Sequence, residues 1–242
     1  MKLHRFFLSV VILIAVLWPA AVAAQDTVAP QQPCRVRHWS FGLTAGLDRN
    51  YHSIDMVYMT DMRYDKYSTG SVFGIQLGYA PVKWLSINTG AVLIQKNYHM
   101  DHVFEYYYLR YSLPTTTTNQ YVNVPLELNL SVGRAVRLHV FGGGYGGYWL
   151  KSHRKGTTYS FSNNRLTDFD EDIEFNDKRD NRIEYGVTWG GGLSTRIIDR
   201  IEIGAELRWY YAVTDIQKSY MRNLNPRYNT TVALQFGVGY WF

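Results

Sequence analysis

An eight-stranded antiparallel up-and-down transmembrane β-barrel, an all-β fold, is what this 242-residue chain predicts. Three observations lead there. Apolar residues recur with a period of two through most of the chain after residue 37, and hardly anywhere with a period of 3.6. The segments joining these runs are by turns long and short, as in barrels with long extracellular loops and short periplasmic turns. Aromatic residues, 16% of the chain, gather near the ends of the runs, where two membrane interfaces would fall.

Composition narrows the alternatives. So many aromatic residues exclude a disordered chain. No stretch of 18 or more apolar residues occurs, so a helical span is excluded as well. A single cysteine, Cys34, rules out an intramolecular disulfide and a cysteine-based zinc site. The net charge of +5 falls to +3 without Lys2 and Arg5, too dilute a basicity to predict a nucleic-acid partner.

The elements follow in order. Residues 1–24 carry Lys2 and Arg5, an apolar run of about 12 residues from Phe6 to Leu17, and the small residues Ala20-Ala21-Val22-Ala23-Ala24. That is the pattern of a secretory signal peptide, cleaved after Ala23 or Ala24. Cys34 lies too far downstream to take a lipid anchor. Residues 25–36 read as a periplasmic linker and 37–242 as the barrel domain. Eight strands are predicted within it: His38–Asp48, Gly70–Ala80, Lys83–Tyr98, Tyr121–Val132, Val136–Leu150, Ile183–Arg196, Ile201–Val213 and Tyr228–Phe242. The clearest alternation is in Tyr121–Val132, where Val122, Val124, Leu126, Leu128, Leu130 and Val132 oppose Asn123, Pro125, Glu127, Asn129 and Ser131. Segments 49–69, 99–120, 151–182 and 215–227 are the long loops; Pro81-Val82, Gly133-Arg134-Ala135 and Ile197–Arg200 are the short turns.

Glycine decides which face is which. The face opposite the apolar one holds Gly42, Gly46, Gly74, Gly78, Gly90, Gly143, Gly147, Gly186, Gly190, Gly204, Gly237 and Gly239 among Glu, Arg, Gln and Asn. Small and polar residues fill the interior of a narrow eight-stranded barrel, so the apolar face looks at lipid. A secreted ligand-binding barrel with an apolar pocket is the alternative. Trp39, Tyr79, Trp84, Tyr121, Trp149, Tyr185, Tyr211, Tyr228, Tyr240 and Trp241 are expected in the interfacial girdles.

Tyr121-Val122-Asn123-Val124-Pro125-Leu126-Glu127-Leu128 resembles a strand of the PorT-like, or porin-family, outer-membrane β-barrel proteins. The runs Gly142–Tyr148, Gly190–Leu193, Glu206–Tyr211 and the terminal Gly237–Phe242 resemble later strands of that family, in the same order. The resemblance covers about residues 37–242 and implies an outer-membrane barrel. It implies no activity, because one fold serves many functions.

Glu127, Arg137, His139, Glu184, Arg196, Glu202, Glu206 and Arg208 fall on the inward face. Charges buried in a tight lumen have to pair. A structural ion-pair plug is the favoured reading; a gated path for small ions and a catalytic carboxylate pair are the others. Shared inward parity across the turn after Arg196 predicts that Arg196 sits opposite or diagonal to Glu202. An outer-rim hydrolase would need a nucleophile beside a base. Its candidates are His99, His102 and His153 with Ser112, Ser152, Asp101 or Glu105, and no hydrolase signature surrounds them. His52, Met56, Met59 and Met62, with His99, Met100 and His102, are soft donors of the kind Cu(I) takes, although methionine is also an adaptable packing residue. No catalytic residue, cofactor or metal ligand is therefore assigned. The tyrosine-rich segment Phe104–Tyr111 and the charged segment Lys151–Arg182 are the features expected to meet an envelope or surface protein or a glycan.

The sequence thus predicts a monomeric, non-enzymatic barrel exported to the outer membrane of a Gram-negative-type envelope. It would contact outer-membrane lipid and lipopolysaccharide, present extracellular loops and contribute to envelope integrity. A narrow porin-like channel, or an accessory barrel of a secretion or uptake machine, is the alternative function.

Overall fold

The computed structural model describes residues 38–54, 62–65, 68–106, 109–160, 165–218 and 227–242. The expected signal peptide, the linker with Cys34, and His52, Met56 and Met59 lie outside the described side chains, as do those of Met62, Asp101, His102, Glu105 and Ser112.

Ten strands are present: β1 (Trp39–Ile54), β2 (Met62–Asp65), β3 (Ser68–Val82), β4 (Leu85–Tyr106), β5 (Leu109–Val132), β6 (Val136–Ser160), β7 (Arg165–Asp172), β8 (Ile183–Ile198), β9 (Ile201–Ala212) and β10 (Arg227–Trp241). Eight of them form the wall in the order β1-β3-β4-β5-β6-β8-β9-β10, and β10 pairs with β1 from Ser40↔Trp241 to Ile54↔Arg227, closing the barrel. Closure abolishes the sheet edges that lipid cannot satisfy.

Register fixes the width. From Ser40 the paired residues run Gly78, Asn88, Glu127, Gly143, Thr188, Tyr210 and Thr231, then return to β1 at Asn50. Ten residues of stagger over eight strands correspond to a tilt of about 41° and a backbone radius of about 8 Å. Such a bore holds side chains and little else.

The faces divide as the alternation predicts. Leu43, Leu47, Phe73, Ile75, Leu126, Leu128, Leu234, Phe236 and Val238 point outward, whereas Asn123, Glu127, Thr188, Arg208, Thr231 and Gln235 are buried inside. On β5 the outward row changes from Val122 to Gln120, Thr118 and Thr116, which places the outer edge of the lipid belt between Val122 and Gln120.

Several boundaries differ from expectation. The first short turn is Lys83-Trp84 rather than Pro81-Val82, because Val82 pairs with Leu85 after a register shift. The turn after β5 lies where expected. Gly133 there has φ 116°, and a Cβ would approach Val136 O to 2.1 Å, so only glycine fits. The largest change concerns segments 99–120 and 151–182, which are mostly strand: β4, β5 and β6 run on past the lipid belt. Segment 49–69 contains β2, paired with β4 from Met62↔His102 to Asp65↔His99.

Three expected girdle residues belong to the lumen. Tyr121, Trp149 and Trp241 are 1%, 8% and 9% exposed, because their odd positions share the inward parity of Glu127, Tyr145 and Gln235. Trp39, Tyr79, Trp84, Tyr185, Tyr211 and Tyr240 do face outward. Val72, Val92 and Ile94 are inward as well, making an apolar layer with Tyr121, Tyr145 and Tyr210.

Candidate functional site: a filled lumen beneath an extracellular sheet

Among the described residues the inward ion pairs of the wall stack in three tiers, and the buried Asp48 carboxylate on β1 lies outside them. At the periplasmic end, Glu202 is the hub. Arg196 lies directly opposite it in the β8–β9 ladder with Nε 3.5 Å away, one of the two places that shared parity allows. Arg137 Nη1 reaches the same carboxylate at 3.3 Å and the Trp241 indole N–H donates to it at 2.8 Å. The guanidinium of Arg196 also covers the Trp241 ring at 5.0 Å.

Arg208 occupies the middle of the lumen and is 1% exposed. It pairs with Glu127 and, at 3.1 Å, with Glu206; its guanidinium lies 4.3 Å from the Phe141 ring. Thr188 donates to Glu127 at 3.3 Å and Gln76 to Glu206 at 3.4 Å. Between this tier and the lower one is a polar cavity of about 130 Å³, bordered by Gly42, Gly78, Gly204, Gly237 and Gly239 together with His139.

The upper tier joins Lys96 to Glu184, both buried. The Tyr145 hydroxyl and the Asn229 amide donate to the same carboxylate at 2.8 and 2.7 Å. Tyr121 lies beneath the Lys96 ammonium at 4.7 Å and stacks on Trp149 at 5.6 Å; Phe175 meets Trp149 edge-on at 4.9 Å. Lys96 is the residue that sequence reasoning misses. Its parity with Asn88 and Gly90 marks it inward, but Val92 and Ile94 on the same row blur the polar–apolar contrast. An ion pair left without one partner costs several kcal/mol in such surroundings, so these interlocking tiers tie the strands of the wall together across the lumen.

Above the lipid belt the strands form a sheet in the order β2-β4-β5-β6-β7. The basic stretch at residues 151–155 and the acidic stretch at 168–172 are the two sides of one hairpin. Lys151 pairs with Asp172 at 2.8 Å, Arg154 with Glu171 at 2.8 Å and Lys155 with Asp170 at 3.5 Å. His153 bridges Asp172 through Nδ1 at 2.8 Å and Asp170 through Nε2 at 2.7 Å. Hydrogen bonding to Asp172 raises the His153 pKa above its usual value, and hydrogen bonding to Lys151 and His153 lowers that of Asp172. Opposite charge in two blocks about 17 residues apart is a hairpin signal that a count of balanced charge overlooks.

The loops beside this sheet brace the mouth. Asn181 donates to Asp215 O at 2.9 Å, Asp180 bridges to Gln217, and Ile173 N–H donates to Ser152 O at 2.9 Å.

Of the residues considered for catalysis, the side chains of His99, Ser152 and His153 are described. Ser152 points inward and donates to Asn119 at 2.7 Å, whereas its neighbour His153 faces the acidic ladder on the other side. His99 Nδ1 is 2.9 Å from Thr116 Oγ1. Among the described residues no group of three His, Cys, Asp or Glu side chains is placed to hold a metal ion.

A model of the outer membrane protein beta-barrel domain matches residues 23–218, most of the chain. The chain belongs to that family. Its place is accordingly the outer membrane, crossed by the eight tilted strands. Among curated proteins no match is found. Several solved barrels are similar at low identity. Ail, the attachment invasion locus protein of Yersinia pestis, is 16% identical with a TM-score of 0.41, covering 86% of this chain and 100% of its own. Neisserial surface protein A is 12% identical with a TM-score of 0.43, covering 84% and 97%. The outer membrane protease OmpT of Escherichia coli is 8% identical with a TM-score of 0.39, covering 90% and 99%.

Proposed function

We propose that this protein is a non-conducting, monomeric outer-membrane barrel whose work is done at the cell surface, where its sheet presents a platform to an envelope or surface protein or to a glycan. The observation that carries this reading is the continuation of β4, β5 and β6 beyond the lipid belt, joined by β2 and β7 into one five-stranded sheet. A loop needs no such framework merely to link two strands. Among the described residues β7 pairs with β6 alone, so its other edge offers backbone donors and acceptors to an extended segment. The tiered lumen speaks against the porin-like alternative, since an ion would have to displace Arg208 from Glu127 and Lys96 from Glu184 to pass. No reaction is assigned, and contribution to envelope integrity is part of the same reading. Residues 1–24 as a cleaved signal peptide, 25–36 as a linker, and a place in the PorT-like branch on the strength of the Tyr121–Leu128 strand complete it.

The test is surface proximity labelling with intact cells, comparing the full chain with a variant in which residues 157–168, the tip of the β6–β7 hairpin, are replaced by a short Gly-Ser turn. Loss of specific surface neighbours from a variant that still runs as a folded, heat-modifiable barrel supports the proposal. An unchanged neighbour set overturns it.

A further inference from the structure

Arg182 immediately precedes β8 at the outer rim of the barrel. Its backbone carbonyl accepts from Trp149 N–H at 2.8 Å, and its Nε donates to Trp149 O at 3.1 Å. The guanidinium lies between two rings, 4.7 Å from Tyr148 and 4.2 Å from Phe175. Tyr148, Ile183 and Tyr185 next to it are exposed on the lipid-facing wall, which sets the guanidinium at the depth of the aromatic girdle, where headgroups lie. Other cations of this region are engaged by carboxylates: Lys151 by Asp172, Arg154 by Glu171 and Arg179 by Asp180. Among the described residues no carboxylate lies within ion-pair distance of Arg182, and its Nη groups meet no protein acceptor. An oriented guanidinium with a free fork at headgroup depth matches a phosphate.

Directly below Tyr148 on the same outward row of β6 are Gly146, Gly144 and Gly142. Val124, Leu126 and Leu128 of β5 flank them on one side, and Tyr185, Val187 and Trp189 of β8 on the other. The result is a furrow about 13 Å long on β6 from Gly146 to Gly142, beginning just below Tyr148 and Arg182. Nothing in the fold demands glycine there. A Cβ at Gly146 would meet no atom within 4 Å, and at Gly144 and Gly142 its nearest neighbours would be 3.6 and 3.9 Å away. The inward Gly143 differs, because a Cβ there would come within 2.0 Å of Leu126 O.

We propose that Arg182 and this furrow together bind one molecule of the outer-leaflet glycolipid of lipopolysaccharide, its phosphate on the guanidinium and an acyl chain along Gly146, Gly144 and Gly142. The inference rests on the outer-membrane placement of the barrel and is independent of the surface platform. Charge complementarity selects a phosphorylated lipid, and the apolar walls of the furrow receive one of its acyl chains. Bound there, the lipid would tie the barrel into the outer leaflet beside the base of the β6–β7 hairpin.

Native mass spectrometry of the purified full chain, released from detergent after incubation with diphosphoryl lipid A, dephosphorylated lipid A or phosphatidylglycerol, tests it. The wild type should retain diphosphoryl lipid A more tightly than phosphatidylglycerol, and at least about tenfold more tightly than dephosphorylated lipid A, the increment expected of a charge-assisted pair. Arg182→Ala should abolish this preference and Arg182→Lys should keep part of it. Gly144→Leu should weaken retention of every lipid while leaving the preference for phosphate. If the alanine variant fails to fold, as its heat-modifiability reports, Arg182→Gln and Gly144→Leu decide. Equal retention of dephosphorylated lipid A by the wild type, equal retention of phosphatidylglycerol, or an unaltered preference in the Arg182 variants would overturn the proposal. Failure here alongside a hairpin-dependent set of surface neighbours would leave the platform standing, and the converse would leave the lipid site standing.

Discussion

Replacing Arg208 with methionine keeps roughly the side-chain volume and removes the one cation that faces both Glu127 and Glu206 in the middle of the lumen. Glu206 keeps some contact with solvent, its side chain being 14% exposed. Glu127 does not, being 3% exposed with only Thr188 left to donate to it. A buried carboxylate stripped of its cation destabilises by about 3–5 kcal/mol, and that is the expected loss for Arg208→Met. Glu127→Gln retains the Thr188 contact and leaves Arg208 paired with Glu206, so its loss should be smaller, about 1–3 kcal/mol. With both changes together the buried carboxylate at 127 is gone along with its cation and only the partly solvated Glu206 loses a partner, so the double variant should be less unstable than the summed single losses by at least ~1 kcal/mol. Urea titration of the barrel folded into phospholipid vesicles, followed by tryptophan fluorescence, reads all three. A loss below ~1 kcal/mol for Arg208→Met, or strict additivity in the cycle, would refute the pairing as the bond that closes the middle tier.

Leu128→Arg places a charge on the lipid face and should destabilise the barrel by about 2–4 kcal/mol in the same titration if the position lies near the midplane, whereas Asn129→Asp, one residue on and inward, should be milder; equal losses would reverse the face assignment. His153 has its pKa raised by Asp172 and Asp170, so its contribution to the β6–β7 hairpin is complete below the ordinary histidine range near 6.5 and disappears as pH rises through the raised value. The effect should be small and local because the pair is exposed. An imidazole titration by NMR with its midpoint above 6.5, tracked by the β7 amides and lost in Asp172→Asn, is the expected result, and a midpoint at or below 6.5 would count against it. Cysteines placed singly at Thr158 and Ala135 should differ in unbroken cells, an impermeant maleimide marking only the first; labelling of Ala135 would invert the topology.

What the sequence discloses depends on where each segment lies. Inside the lipid belt, alternation is sharp because lipid and lumen make opposite demands, so the row Val122–Val132 is legible in the sequence and parity narrows Arg196 to a place opposite or diagonal to Glu202. Past Gln120 the outward face of β5 has left the lipid, and the buried inward face carries Thr115, Thr117 and Asn119. Thr115–Asn119 is four threonines and an asparagine, with nothing apolar to mark a side, and a strand reads as a loop. Aromatic residues mislead for a related reason. Tyr121 and Trp149 suit an interface by composition, yet their parity sends them inward to cover Lys96, and only parity distinguishes the two places. The binding furrow is the least visible feature, since Gly142, Gly144 and Gly146 sit within a glycine-rich run whose inward members are sterically required and whose outward members are not.

Planar-bilayer recording of the purified, folded protein is the most direct test of a barrel that is sealed inside and active outside. The wild type should show no stepwise current at either polarity, while the doubly opened variant Arg208→Ala with Lys96→Ala should admit small ions through the two tiers these residues close. Reproducible unitary conductance from the wild type, unchanged by the double substitution, would contradict the sealed lumen and return the protein to the class of pores.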